Sequence, residues 1–308
     1  MPARRFLFLL NARAGRRTRG LAEGAGCALE ASVETALVSD VDEARVRLRG
    51  AEGAVVPVAV GGDGTVNLLA RALRAEGMAD RPMGVLPAGT GNAFAHSFGI
   101  GRMRAALDAL RSGAPRAIDV LVTDHPALPL ALVSFSTGLE GAFLADVARR
   151  RAHGAPGYAS PQLFGPLARS YRGATLNCDG VAVLQPGETF YSAGVYNLPC
   201  YFFGRRMVPA ADPADGLAHA RVHPRAADYW RTLLNPGGRP PAGVRERRFR
   251  RARLEAPGPV QADGESAAGG VFEIVVERGG LCVITGSGLL DPLPELRFID
   301  EIEPASTD

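Results

Sequence analysis

Apolar residues in the first third of the chain come in short runs rich in Val, Leu, Ile and Phe, at 6–10, 33–38, 55–60 and 83–86. Between these runs, at 21–29, 43–48 and 66–74, apolar positions recur at the three- and four-residue spacing of an amphipathic helix. Strand and helix therefore alternate, which predicts a parallel sheet covered on both faces. A helix over 103–111 and a strand over 117–122 continue the rhythm. The pattern then changes to short apolar runs at 131–136, 173–178, 181–184, 190–196, 271–276 and 281–285, separated by Gly, Pro, Asp and Asn. That second part reads as antiparallel and β-rich, with a helical interruption within 144–172. The expected fold class is α/β plus all-β: an N-terminal parallel-sheet domain and a C-terminal antiparallel β-sandwich domain, with the boundary near residue 122.

Composition narrows the chemistry. The chain has 308 residues, 46% of them hydrophobic, enough for one or two cores. Its net charge of +3 points away from a generic nucleic-acid binder. All 35 basic residues are Arg. Without Lys, a Walker P-loop and Schiff-base catalysis are both excluded, so any phosphate clamp uses Arg or backbone N–H. Cys27, Cys178, Cys200 and Cys282 lack metal-ligand spacing and read as buried thiols in a reducing compartment. The run at 6–10 is too short for a secretion signal or a membrane span, so no transmembrane segment and a cytoplasmic location are expected. The stretch 225–254 carries nine Arg against Asp228 and Glu246, and is expected to be mobile.

The sharpest local feature is Val60-Gly61-Gly62-Asp63-Gly64-Thr65, between an apolar strand and a helical pattern. Glycines at such a turn expose backbone N–H and let a phosphate approach the positive end of the next helix. A carboxylate among phosphates repels them unless a cation intervenes, so Asp63 predicts Mg²⁺. The competing reading makes Asp63 a helix N-cap. A second turn, Pro87-Ala88-Gly89-Thr90-Gly91-Asn92-Ala93-Phe94, follows the next strand. Turns at successive strand ends converge on one edge of a parallel sheet, where ligands bind.

These residues resemble the lipid kinases of the diacylglycerol kinase and sphingosine kinase family. Asn11 to Gly15 is similar to the family's opening nucleotide loop, Gly61 to Thr65 to its GGDGT signature, and Pro87 to Phe94 to its second signature. Gly138-Leu139-Glu140 resembles Gly-Phe-Asp in the linker, and Asp263-Gly264-Glu265 the C-terminal DGE motif. The resemblance implies an ATP-binding α/β domain over 1–122 joined by the C-terminal segment 290–308, a lipid-substrate sandwich over 123–289, and a cleft between them. It carries Asn11, Arg16, Gly61, Gly62, Asp63, Gly64, Thr65, Gly89, Thr90 and Asn92 to ATP contacts, Asp63 also to Mg²⁺. It makes Asp263 the general base, with Glu265 orienting the site or binding metal. Local sequence alone reads Asp263-Gly264 as a hairpin turn.

The chain departs from the family at Ala12, Ala14 and Ala93, the last replacing a carboxylate of many bacterial members; Glu140 moves a charge by one methylene, and Asp119 is a candidate to support the acidic network. His219 and His223, four apart, are set aside as a metal pair because Gly216, Pro213 and Pro224 oppose a helix. His96 reads as packing. Tyr201-Phe202-Phe203 beside Arg205 and Arg206, together with Tyr229-Trp230, are weighed as an anionic-lipid surface against a core reading; Tyr158, Leu163 and Phe164 are open between lipid pocket and core. The expected activity is transfer of the γ-phosphoryl of ATP to a hydroxyl of diacylglycerol or a similar lipid at a membrane surface, with an NAD kinase-like enzyme or a non-catalytic nucleotide or lipid binder as rivals. Oligomeric state stays open, a homodimer included.

Overall fold

β1 (Arg5–Asn11) lies at the centre of the first sheet, its residues 6–10 wholly buried. Helix α1 (Arg16–Leu29) leads to β2 (Val33–Val38), α2 (Val41–Gly50), β3 (Val55–Gly61), α3 (Asp63–Ala75) and β4 (Gly84–Pro87), and the four strands pair in parallel in the order β2-β1-β3-β4. The computed structural model describes residues 4–12, 16–51, 53–152, 164–235 and 240–286. Local signals place the helices. Asp40 caps α2 by accepting from Glu43 N at 2.9 Å, while Glu43 accepts from Ser39 N at 2.7 Å. Arg47 and Arg49 complement the negative end of the same helix. Short α4 (Ala93–Ser97) and α5 (Met103–Ser112) complete this half.

The remaining strands are antiparallel. β5 (Ala114–Thr123), β6 (Leu130–Ala131), β7 (Ser134–Gly138), β8 (Thr175–Cys178), β9 (Val181–Leu184), β10 (Ser192–Tyr196), β11 (Cys200–Tyr201), β12 (Arg205–Arg206), β13 (Ala218–His223), β14 (Arg245–Phe249), β15 (Arg251–Ala256), β16 (Val260–Ala262), β17 (Glu265–Ala267) and β18 (Gly270–Thr285) are joined by helices α6 (Leu139–Ala152), α7 (Phe164–Leu167) and α8 (Ala226–Leu234). Two six-stranded sheets, β14-β13-β10-β7-β16-β17 and β6-β5-β18-β15-β8-β9, share one core between Phe135, Val195, Val222 and Phe249 on one side and Leu121, Leu254, Phe272 and Ile274 on the other. This is the expected sandwich.

The change of sheet falls ahead of β5, which pairs with β18 and β6, so it precedes residue 122. β18 unites two runs that the sequence separates, through a bulge between Glu277 and Leu281. Its end then reaches the parallel sheet: Met83 N donates to Cys282 O at 3.0 Å and Ile284 N to Met83 O at 2.8 Å. Leu281, Val283 and Ile284 accordingly join the core of the first half. The two halves are thus stapled by buried apolar packing, which gives a cleft between them fixed walls.

Several expectations need correction. The Arg-rich stretch forms α8, β14 and β15, because its charges find partners: Arg225 with Asp228, Arg245 with Glu188, Arg248 with Asp215 and Arg253 with Glu273. Asp119 stands apart from the acidic network, holding Gly216 N at 2.6 Å and the bulge residue Gly279 N at 2.9 Å. Cys27 is exposed and Cys282 half-buried, and only Cys178 and Cys200 are buried thiols. His219 and His223 lie on a strand, where four residues span about 13 Å. Glu246 takes His219 Nδ1 at 2.9 Å, and His223 packs edge-on against Tyr229. The segment 290–308, the loop residues 13–15, and Tyr158 and Leu163 lie outside the described residues.

Candidate active site

Two glycine turns meet at the carboxyl ends of β3 and β4. A Cβ on Gly89 would lie 2.3 Å from the Gly62 Cα, so the two turns touch backbone to backbone. Gly61 is under the same constraint from Thr65, whose Oγ1 would lie 2.2 Å from its Cβ. Asn92 holds the second turn, its φ of +50° placing it in the left-handed region. Its amide closes on Gly89, accepting from the N–H at 3.0 Å and donating to the carbonyl at 2.9 Å. Asn11 ends β1 beside these turns, Thr90 is exposed on the second, and Arg16 opens α1.

Asp63 is the first residue of α3 and caps a different helix. Its carboxylate accepts from Ala93 N at 3.1 Å and Phe94 N at 2.8 Å, the free N–H groups that open α4. The capping reading was therefore right in chemistry and wrong in helix. Burial raises its pKa, opposed by the N–H groups of Phe94 and Ala93. The N-cap of α3 itself is Gly62, with no side chain closing the end of the helix.

Asp263 sits in the turn between β16 and β17 with φ +50°, followed by Gly264 at +90°. The hairpin reading is realised, and the turn aims the carboxylate inward rather than to water. It is buried and takes four donors: Leu132 N at 2.7 Å and Asn67 Nδ2 at 2.8 Å on one oxygen, Val133 N at 2.8 Å and Ser134 N at 3.1 Å on the other. These occupy about all four lone-pair sites of a carboxylate. Three donors are backbone, so Asn67 is the one that a rotamer change can release. Burial nonetheless pushes the Asp263 carboxyl up to about 6.

Glu140 opens α6 and is buried beneath the same region. Ser192 Oγ donates to it at 2.9 Å, Tyr196 OH at 3.0 Å and Tyr229 OH at 3.2 Å. Burial raises its pKa, opposed by the hydroxyls of Ser136, Ser192, Tyr196 and Tyr229.

Two clefts converge here. One, with about 880 Å³ of empty space, is walled by apolar residues including Phe143, Leu144, Leu167, Trp230 and Leu233, and Asp63, Glu140 and Asp263 also line it. The other, about 800 Å³, is polar and lined by Ser39, Asp40, Gly64, Asn67, Arg71 and Glu265. Asn67 lines the polar cleft and bonds to Asp263 in the apolar one. Asp63 and Gly64, neighbours in sequence, likewise face one cleft each. Glu265 is thereby separated from Asp263, lying against Gly64 on the polar side.

Residues 5–123 match the model of the diacylglycerol kinase catalytic domain. Over those residues the chain is similar to that catalytic domain. The matched segment holds both glycine turns and Asn67; Asp263 comes from beyond it and closes onto it. The "probable lipid kinase YegS-like" of Cronobacter sakazakii is 29% identical over 243 residues, covering 75% of this chain and 78% of that protein. A diacylglycerol kinase structure from Bacillus anthracis superposes with a TM-score of 0.63 at 16% identity, over 93% of this chain and 99% of that one. Another structure from the same organism gives 0.66 at 15% identity, over 94% and 100%. At these identities the structural likeness is one of fold.

Sequence reasoning missed Asn67, although it lies four residues after Asp63 on one helix face, a spacing that brings two side chains together. It also missed Ser192 and Tyr196, which the pairing of β10 with β7 brings beside Glu140, and weighed Tyr229 of α8 only as lipid surface or core, not as a partner of Glu140.

Proposed function

We propose that the chain is a kinase transferring the γ-phosphoryl of ATP to a hydroxyl of diacylglycerol or a similar lipid alcohol. One observation carries this reading: a polar cleft and an apolar cleft meet at Asp263 and the glycine turns. The polar cleft suits a nucleoside, whose ribose hydroxyls can donate to Glu265 and Ser39. The uncapped start of α3 and the N–H groups of Thr90 and Gly91 in the second turn suit its phosphates, in a protein without Lys. Acyl chains fit the apolar walls, which offer little to a soluble dinucleotide acceptor.

The acceptor hydroxyl oxygen forms a bond to the γ-phosphorus, the bond from that phosphorus to the β–γ bridging oxygen breaks, and ADP leaves. Asp263 takes the hydroxyl proton as Asn67 releases its oxygen, and backbone N–H groups steady the transferring charge. Among the described residues no three His, Cys, Asp or Glu gather into a metal cage. Asp63 by itself fits an ion that arrives on nucleotide phosphates, and Mg²⁺ there supplies neutralisation of phosphate charge. 

The test is transfer of labelled γ-phosphate from ATP with Mg²⁺ to a panel of lipid alcohols in mixed micelles, with NAD as a soluble control. Label in a lipid, lost in Asp63→Asn and Asp263→Asn, is the expected result. Label in NADP, or ATP binding without any transfer, refutes it.

A further inference from the structure

Few large apolar side chains are exposed among the described residues, and three of them gather at the mouth of the apolar cleft. Phe202 and Phe203 are 40% and 53% exposed at the tip of the β11–β12 hairpin, and Leu234 is 69% exposed at the end of α8. α8 packs against β12, and Trp230 lies one turn before Leu234. Phe202, Phe203 and Trp230 all line the cleft. Phe203 is held at a φ of +55°, a conformation costly for a bulky residue, with its ring edge-on to Phe202 at 4.6 Å. The pair thus borders the cleft while leaving much of both rings in solvent. Arg205 on the hairpin and Arg231 on α8 are exposed at this patch, whereas Asp228 of the same helix is buried against Arg225. Tyr201 and Tyr229, grouped with these residues by sequence, instead pack inside.

We propose that this patch docks the protein on an anionic lipid bilayer. Phe202, Phe203 and Leu234 enter the acyl boundary, Arg205 and Arg231 meet headgroup phosphates, and the apolar cleft opens directly onto the membrane. A second copy of the chain is a poorer occupant, because a twofold contact would oppose like charges. The docking deepens the lipid-kinase reading and rests on it for what enters the cleft.

Trp230 is the chain's single tryptophan, so its emission reports the patch directly. With vesicles of equimolar phosphatidylglycerol and phosphatidylcholine, the full chain is expected to co-sediment and Trp230 emission to move to the blue; with phosphatidylcholine alone, binding falls sharply. Arg231→Ala is expected to weaken binding about fivefold, the equivalent of ~1 kcal/mol per Arg at an anionic surface. Leu234→Ser, at an exposed position that does not risk the fold, is expected to weaken it similarly, and Phe203→Ser more. Binding unchanged in these variants, or Trp230 emission unmoved on bound vesicles, overturns the proposal. So does a dimer in solution that the same substitutions dissociate, which would make the patch a contact between copies. Patch-dependent vesicle binding without phosphoryl transfer to any lipid upholds the docking and refutes the kinase reading alone.

Discussion

Asn67 on α3 donates its side-chain amide to Asp263 at 2.8 Å, across 196 residues of sequence and from one cleft to the other. The same amide also donates to Leu130 O at 3.0 Å, so one side chain ties the glycine-turn helix to β6 and to the C-terminal hairpin. Sequence motifs that carry no mutual signal thus become one unit through a residue outside both.

Replacing Asn67 by Ala removes a donor that favours the ionised Asp263. The Asp263 carboxyl should rise further above about 6, and the acid limb of the kcat/KM profile should move to higher pH. Stability should fall by about 1.5–3 kcal/mol, as for a buried hydrogen bond to a charged group. Urea unfolding and a pH–rate profile check both. An acid limb that stays in place would assign it to another group.

Asp263 also sets opposite pH trends for folding and turnover. Its carboxyl is raised from 3.8 to about 6 by burial, so between those values the folded protein holds a proton that the unfolded chain has lost. Its stabilising contribution is full below about 3.8 and is lost as pH rises through about 6. A base must be ionised, so turnover should instead fall tenfold per unit below about 6. Asp263→Asn should lower kcat by roughly 10²- to 10⁴-fold and abolish that limb. Phosphoryl transfer measured across the window, beside unfolding midpoints, tests the pairing.

Gly89→Ala should separate the two turns, since the added Cβ meets Gly62 backbone at 2.3 Å and cannot be relieved by a side-chain rotation. The expected cost is about 1–3 kcal/mol, with weakened ATP binding. Gly20→Ala on the exposed face of α1 meets nothing within 4 Å and should stabilise by ~1 kcal/mol. Calorimetric unfolding of the two variants, with ATP titration, separates close approach from ordinary glycine cost. Equal effects would contradict the contact.

The parallel half was legible because its central strands β1 and β3 are buried on both faces and read as continuous apolar runs, with caps such as Asp40 marking the helices. The sandwich was legible in class but less so in detail. β18 looked like two strands because Arg278-Gly279-Gly280 forms a bulge, a break in pattern that the pairing with β5 spans. β14 and β15 looked mobile because their Arg partners, such as Glu188 and Glu273, lie far away in sequence. The same distance hid the donors to Asp263: three are backbone N–H groups of 132–134, and backbone carries no residue signature. The motifs mark out the candidate site, while its division into polar and apolar clefts depends on contacts that only the folded chain brings together.

Glu140 offers the sharpest contrast between two substitutions at one position. Burial raises its pKa, so neutralising the carboxyl costs little, and an amide oxygen can still accept from the Tyr196 and Tyr229 hydroxyls while the amide N–H faces Ser192 Oγ. Glu140→Gln should therefore change stability at low pH by less than about 1 kcal/mol. The wild-type carboxyl contributes most below its ordinary value and loses that contribution as pH rises through its raised one, so the glutamine variant should gain relative stability towards neutral pH. Glu140→Leu strands buried hydroxyls beside the cleft and should cost about 3 kcal/mol or more at low pH, staying below the glutamine variant by a constant margin as pH rises. Urea unfolding of the three proteins from acid to neutral pH decides it. A glutamine variant that weakens as pH rises would mean that the ionised carboxylate is needed, with a cation or a substrate ammonium as its natural partner.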